Sequence, residues 1–401
     1  MRRGCSCSAS SRMADTKHIM IVAGETSGDA LGGDLMVALK AQAGEIMITG
    51  VGGPKMIAQG LASIFPMSEI AVMGLKEILP RLPQLFRLVD QTVEHALATS
   101  PDALVLVDSH EFNHRVAKRV NAARPDIPIL CYVAPHVWAW RQGRAKKMKK
   151  YFDAVMAFLP FEPDVFAAND GPPCHFVGHP IIDRITALEP LPTFGKKHGI
   201  RDTHKPLVIL PGSRLSEIKT LVPVFGDVLR RLDRHIEGIR PIIPLVPHMA
   251  DMVREMTADW PGNPIYVEDE AEKLAAFHEA RAALAASGTA TMELALAGLP
   301  TTVAYKMGLM GDILVRTMPV PSVVLVNLIL DAPAMPEFLQ DRCNADDITP
   351  SIRAMLEDEA TNAHYRAMLA PFRDAMSYQG RPPAHRAAAL TLQLASGLAS
   401  D

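Results

Sequence analysis

Short runs of consecutive apolar residues alternate along this chain with stretches whose apolar positions recur every three or four residues. Residues 18–23 (HIMIVA), 46–51 (IMITGV), 103–107 (ALVLV), 127–133 (IPILCYV) and 153–157 (DAVMA) are runs of the first kind. Residues 207–210 (LVIL), 240–246, 265–267, 282–285 and 301–304 repeat the pattern in the second half. Runs of this length, bounded by turn residues, predict buried strands. The stretches between them predict helices. Leu31, Leu35 and Leu39 follow the first strand, and Ile218, Leu221, Val222, Phe225, Val228, Leu229 and Leu232 follow the strand at 207–210. Buried strands joined by helices define the α/β class. The restart of the alternation at Leu207 predicts two doubly wound domains facing a cleft.

The same pattern sets the expected boundaries. Residues 1–17 place Arg2, Arg3 and Arg12 among serines without a following apolar core, so they read as a disordered tail rather than a secretory signal, with Met13 as an alternative start. Residues 18–180 form the first domain. Residues 181–205, polar and turn-rich with Pro190, Pro192 and Gly195, are the expected linker. Residues 206–345 form the second domain, and residues 346–401 read as helices.

Composition changes this picture little. A chain of 401 residues suits two domains. The formal charge is 41 − 44 = −3, which implies no general affinity for nucleic acid. The five cysteines (Cys5, Cys7, Cys131, Cys174, Cys343) are scattered, so no zinc cage is expected and a reducing cytosol fits. No apolar run reaches the roughly 18 residues of a membrane span. Two stretches stand apart. Residues 65–88 are apolar but interrupted by Pro80 and Pro83, and read either as core or as a patch touching lipid or a partner. Residues 141–150 hold six bases (Arg141, Arg144, Lys146, Lys147, Lys149, Lys150) and read either as a solvated helix face or as a site for phosphates or anionic headgroups.

The turns after the predicted strands carry the candidate chemistry. Pro211-Gly212-Ser213-Arg214 joins a strand to a helix. In that layout backbone N–H groups at the helix start face an anion, and Arg214 adds a planar charged fork suited to a pyrophosphate. An ordinary turn with a surface arginine has the same sequence. Gly24-Glu25-Thr26-Ser27-Gly28-Asp29 follows the first strand, and its small residues let a ligand approach the backbone. It lacks the G-x-G-x-x-G spacing, which counts against NAD or FAD. Asp108 ends the run at 103–107, at the strand end where open α/β sheets bind ligands. Asp108, His110 and Glu111 are candidate general bases, although a carboxylate here also suits a helix cap. His136, Trp138 and Trp140 make a wall for a sugar or acyl chain, or interior packing. Ser287-Gly288-Thr289 opens another helix, and Glu293 lies four residues after Thr289 on the same side. Glu293 suits the two hydroxyls of a ribose, or simply the helix dipole. Together with residues 211–214, this predicts a nucleotide diphosphate held by two helix starts in one domain.

These segments, in this order and spacing, resemble one family. AGETSGD (23–29), FPMSEIAVMGLKEILPRLP (65–83), VDSHEFN (107–113), YVAPHVWAWRQGR (132–144), FVGHP (176–180), LPGSR (210–214) and SGTATMELAL (287–296) are similar to lipid-A-disaccharide synthases, inverting glycosyltransferases of the GT-B fold. The resemblance runs from about Ile19 to Gln340. It implies two Rossmann-like domains with C-terminal helices crossing back onto the first, and transfer of diacylglucosamine from UDP-diacylglucosamine to lipid X. It further implies no metal or other cofactor, a peripheral place on the inner face of a Gram-negative inner membrane, and a homodimer with exchanged C-terminal segments.

By residue, the resemblance implies that Asp108 acts in catalysis, with Glu111 beside it. Arg214, with Gly212 and Ser213, would contact the UDP phosphates, and so would Ser287, Gly288 and Thr289. Glu293 would hold the ribose, and Asn327 and Gln340 would line the donor site. Gly24, Ser27, Gly28 and Asp29, with His136, Trp138 and Arg141, would form the acceptor side. Two positions depart from the family pattern. His110-Glu111 stands where Pro-Asp or Pro-Glu is usual, and Asp331-Ala332-Pro333 stands where a Gly-Arg-Glu-like run is common. Two readings from other classes remain beside this one: a UDP-sugar epimerase-like enzyme, which would share the nucleotide site without needing a lipid-facing stretch, and an inactive UDP-sugar or lipid-binding protein.

Overall fold

The computed structural model describes residues 16–70, 75–188, 194–307, 320–377 and 380–398, with the backbone alone at residues 75–81. Most of the expected tail, Val72 and Met73 of the apolar stretch, and Pro190 and Pro192 of the expected linker lie outside the described residues.

Two parallel six-stranded sheets organise the chain. The first contains β1 (Lys17–Ala23), β2 (Ile46–Val51), β3 (Ala103–Val107), β4 (Ile129–Tyr132), β5 (Ala154–Ala157) and β6 (Cys174–Phe176), in the order β2-β1-β3-β4-β5-β6. The second contains β7 (Lys205–Leu210), β8 (Ile239–Pro244), β9 (Ile265–Val267), β10 (Ala282–Ala285), β11 (Thr301–Tyr305) and β12 (Glu337–Leu339), in the order β12-β11-β10-β7-β8-β9. The central strands are buried on both faces because helices cover both sides, so they read as continuous apolar runs. The edge strands β6 and β12 have three residues each and were not legible in the sequence. Their apolar content is too short to stand out from a loop.

Strand order places the loops that matter. In the first sheet β1 lies between β2 and β3, and Ala23 pairs with Val107. The loops that begin at Gly24 and Asp108 therefore leave the sheet side by side. In the second sheet β7 lies between β10 and β8, and Leu210 pairs with Ala285. The loops that begin at Pro211 and Ala286 leave side by side in the same way. Both pairs sit where the strand order reverses, which is where open α/β sheets form a crevice.

Two expectations change at this level. The segment 181–205, read as a linker, carries the helices Ile181–Ala187 and Phe194–Lys197, and its Ile181, Ile185 and Phe194 are buried with Val208 and Ile242. Its polar composition hides three anchors for the second core. The C-terminal helices do not all cross back. Helix Ala345–Glu357 packs on helix Leu215–Asp233, and Phe372 and Met376 are buried in the second core. Among the described residues, helix Pro383–Ala395 is the C-terminal helix that returns, setting Ala387 and Ala388 against Leu35 and Leu39 of helix Thr26–Ala43 in the same chain. Lys17 Nζ donates to Ala395 O at 2.9 Å and ties this helix to β1.

The apolar stretch divides. Phe65, Ile70 and Leu88 are buried in the first core, whereas Phe86 is 49% exposed. The basic stretch divides too. Arg144 turns toward Glu111 (3.2 Å), and Lys146 and Lys149 share Asp170 at 3.4 and 2.6 Å. Arg141, Lys147 and Lys150 stay exposed.

Candidate functional site

Asp108 and Ser109 both have positive φ, 52° and 34°. Two consecutive non-glycine residues in the left-handed region cost on the order of 1–3 kcal/mol each and persist only where neighbours fix them. Here Asp108 N donates to Tyr132 O at 2.9 Å. Asn113 Nδ2 donates to the carbonyls of Val107 and Asp108 at 3.1 and 2.9 Å. Ser27 Oγ donates to the Asp108 Oδ2 at 2.9 Å. Asp108 is not a helix cap. Ser109 precedes helix His110–Ala123, and no side chain caps that helix. Gly24 is required by close approach, since a Cβ there would lie 2.5 Å from Ser109 Oγ.

The neighbours of Asp108 differ in character. Burial, with Arg144 and His136 adding to it, brings the His110 imidazole down to about 4 against the pull of the Asp108 charge, so it is neutral at pH 7. Glu111 lies on the rim, its side chain 72% exposed, beside Arg144 and Arg115. Glu25 was not singled out in the sequence. Burial first, then the Asp108 charge, raise its carboxyl, which places a second acid next to Asp108.

Asp29 departs from its expected place on the acceptor side. It is buried, and its carboxylate accepts from Gly53 N (2.8 Å), Lys55 N (2.9 Å) and Met56 N (3.0 Å). These are the free amides at the start of helix Pro54–Ala58, so the side chain is spent on capping. Gly28 packs against Val107 O, where an added Cβ would sit at an ordinary 3.4 Å. His136 meets Trp138 edge-on at 5.5 Å between centroids, and Trp138 meets Phe161 at 5.6 Å. Arg141 lies over the Trp140 ring at 4.4 Å.

In the second domain a cavity of about 410 Å³ opens between the two paired loops. Gly212, Ser213 and Arg214 line one side, Ser287, Gly288 and Thr289 the other, with Lys273 and Glu293 between. The volume lies within the usual range for small-ligand sites, about 300–1,000 Å³.

The amides expected to face an anion at 211–214 are already used. Ser213 N and Arg214 N donate to Glu217 Oε2 at 3.0 and 3.2 Å. Glu217 is the third residue of helix Leu215–Asp233, and a glutamate there reaches back to its own helix start. Glu293 is not free either. Arg184 bonds to its Oε1, and Lys273 lies 3.1 Å from its Oε2. It therefore enters the cavity as a neutralised, oriented carboxylate.

Asn327 is buried and committed. Its Nδ2 donates to Met335 O and Glu337 Oε1, and its Oδ1 accepts from Met335 N. It braces the turn holding Asp331, whose φ is 47°, and lies outside the cavity lining. Gln340 Oε1 accepts from Met307 N at 2.7 Å and is likewise outside that lining. Asn327 therefore braces the turn that leads into β12, and Gln340 holds the backbone at Met307, instead of meeting the cavity. Their polar side chains gave no sign of this in the sequence, because the partners, the backbone of Met335 and Met307 and the Glu337 carboxylate, are brought in by the fold. Among the described residues no group of three or more His, Cys, Asp or Glu is placed to hold a metal ion.

Comparison with known proteins bears on the family and the fold. Residues 19–387 match the family model described as lipid-A-disaccharide synthetase. The lipid-A-disaccharide synthase of Rhodopseudomonas palustris (strain HaA2) is 42% identical over 384 residues, covering 94% of this chain and 96% of that protein. That of Ruegeria pomeroyi is 40% identical over 395 residues, covering 95% and 96%. Among solved structures, the UDP complex of S. aureus MnaA aligns with TM-score 0.61 at 14% identity, covering 96% and 98%. MurG of Acinetobacter baumannii aligns with TM-score 0.57 at 15% identity, covering 94% and 99%. At such identities these structures speak for the GT-B fold alone. Taken with the near-complete family match, they mean that this chain belongs to the lipid-A-disaccharide synthase family of glycosyltransferases.

Proposed function

We propose that the protein transfers 2,3-diacylglucosamine from UDP-2,3-diacylglucosamine to the hydroxyl of 2,3-diacylglucosamine 1-phosphate (lipid X), forming the β-1,6 lipid A disaccharide and UDP. The observation that carries this reading is the pair of switch-point sites. An anchored carboxylate, Asp108, stands at one, and a cavity lined by Arg214, Lys273 and a Ser-Gly-Thr loop opens at the other. In this reading the first unit, residues 18–180, presents the acceptor, and the second, residues 206–345, holds the donor.

The chemistry follows from the residue types. Asp108 takes the proton of the acceptor hydroxyl as that oxygen bonds to the anomeric carbon. The bond from that carbon to the diphosphate oxygen breaks, with inversion, and UDP leaves with the electron pair. Arg214 and the hydroxyl of Thr289 meet the charge that develops on the diphosphate. Ser287 lines the cavity, but its Oγ donates to Val323 O at 3.0 Å, so its hydroxyl proton is committed within the loop. Lys273 holds Glu293 for the ribose hydroxyls. The reading is tested by incubating the protein with UDP-diacylglucosamine and lipid X in EDTA and following disaccharide and UDP. Disaccharide formation is expected. UDP binding without turnover would leave a binding protein, and an epimerised sugar nucleotide would replace the transferase reading with an epimerase.

Both proposed substrates carry acyl chains, so the protein is expected to work at the inner face of the inner membrane as a peripheral protein. Among the described residues no helix is long and apolar enough to cross a membrane. Exposed Phe86 and Trp140, with exposed Arg141, Lys147 and Lys150, supply an apolar and basic surface in the first domain. Each base near an anionic surface contributes about 1 kcal/mol, which salt screens. Sedimentation with anionic vesicles is expected to fall several-fold from low to high salt. Salt-independent binding, or none, would remove the electrostatic part of this proposal.

A further inference from the structure

One carboxylate in the donor cavity has a role that the proposed chemistry does not use. Glu217 accepts four hydrogen bonds. Two come from Ser213 N and Arg214 N, one from Arg214 Nη1 at 3.3 Å, and one from Tyr305 Oη at 2.9 Å. Tyr305 is the last residue of β11, two strands away from β7 in the same sheet. Its hydroxyl is pushed up by burial and by the Glu217 carboxylate, so it stays a donor. Gly212, with φ of 108°, makes room, since a Cβ there would lie 2.5 Å from Glu217 Oε2. The side chain of Glu217 is 11% exposed, whereas that of Arg214 is 77% exposed. An arginine so open to solvent samples many rotamers unless something holds it.

We infer that Tyr305 and Glu217 are positioning residues for the donor diphosphate: Tyr305 locks the Glu217 carboxylate over the start of helix Leu215–Asp233, and Glu217 aims Arg214 into the cavity. The guanidinium, not the helix-start amides, is then the anion contact on this side. A phosphate seated on the amides of Ser213 and Arg214 would have to expel a carboxylate that holds four donors. Arg214 has five N–H groups and spends one on Glu217, so a bidentate face remains for a phosphate. The inference rests on the reading of this cavity as the UDP site.

A competing role predicts the opposite sign. If Glu217 were a tethered anion occupying the phosphate position, its neutralisation would strengthen UDP binding. Isothermal titration of UDP into the wild-type protein, Tyr305→Phe, Glu217→Gln, Arg214→Ala and the double variant Tyr305→Phe/Arg214→Ala separates these roles. Tyr305→Phe and Glu217→Gln are each expected to weaken UDP about 5- to 10-fold, within the range for losing an ordinary hydrogen bond and less than the direct loss of Arg214, through which they act. The KM for the UDP-sugar is expected to rise with them and kcat to fall, because the arginine they aim also meets the charge that develops on the diphosphate. In the Arg214→Ala background Tyr305→Phe should add nothing, because its effect runs through that arginine. Tighter binding in Glu217→Gln would overturn the inference. So would an unchanged Tyr305→Phe beside a weakened Arg214→Ala, or an equal loss from Tyr305→Phe in both backgrounds. A wild-type protein that fails to bind UDP would instead overturn the donor-site reading, and this inference with it.

Discussion

Replacing Asp108 by Asn lowers kcat by about 10²- to 10⁴-fold, the usual contribution of a general base, equivalent to about 3–5 kcal/mol of barrier. The motivation is the anchored carboxylate at the end of β3. Ser27 donates to it, and the backbone at Asp108 and Ser109 has positive φ. Asparagine is well suited to the substitution because it tolerates positive φ as readily as aspartate and keeps an oxygen for Ser27. The charge goes while the loop stays. UDP affinity is expected to hold within about twofold, because the UDP of this proposal sits on the second domain, and a hydrogen bond is worth more than that only where it touches the ligand.

Three neighbours are rivals for the proton. His110 is neutral at pH 7, but with its imidazole at about 4 it holds an abstracted proton no better than an ordinary carboxylate. Glu111 is paired at the rim with Arg144. Glu25 lies close enough for the Asp108 charge to raise it. The comparison is kcat for Asp108→Asn, His110→Ala, Glu111→Gln and Glu25→Gln, with thermal melting to confirm that each is folded. Normal turnover by Asp108→Asn beside a dead rival would reassign the base.

Replacing Arg214 by Ala weakens UDP binding by about 10- to 150-fold, the range for losing a hydrogen bond to a charged partner at about 1.5–3 kcal/mol. The fold should not change, since the side chain is 77% exposed and its partners Glu217 and Tyr305 remain bonded to each other without it. The amide of residue 214 still donates to Glu217 in the variant, so the helix start keeps its cap. Lysine should restore only part of the affinity, because a point charge does not reproduce a planar fork. Titration of UDP against Arg214→Ala and Arg214→Lys measures both. Affinity equal to wild type in Arg214→Ala would remove the arginine from the phosphate site.

The sequence alone determined the strands other than the short edge strands β6 and β12, the turns that follow them and hence the fold class. The limits predicted for β2, β3, β9 and β10 are those observed, and β1 differs by one residue. Apolar runs and Gly-containing turns are local features, and a strand buried on both faces leaves its mark in a handful of neighbouring letters. The family resemblance was legible for the same reason, since its motifs are the loops at those strand ends. What each loop side chain does was decided only in three dimensions. Ser27 reaches Asp108 across 81 residues, Tyr305 reaches Glu217 across 88, and Arg184 reaches Glu293 across 109. Asp29, read as part of the acceptor side, caps a helix that begins 25 residues later. Asn327 turned to Met335 and the Glu337 carboxylate, and Gln340 to the backbone of Met307, for the same kind of reason. A carboxylate or amide takes whichever donors the strand order sets beside it, and strand order joins segments far apart in the chain. The letters of any one segment therefore announce a polar group at a strand end but not its partner.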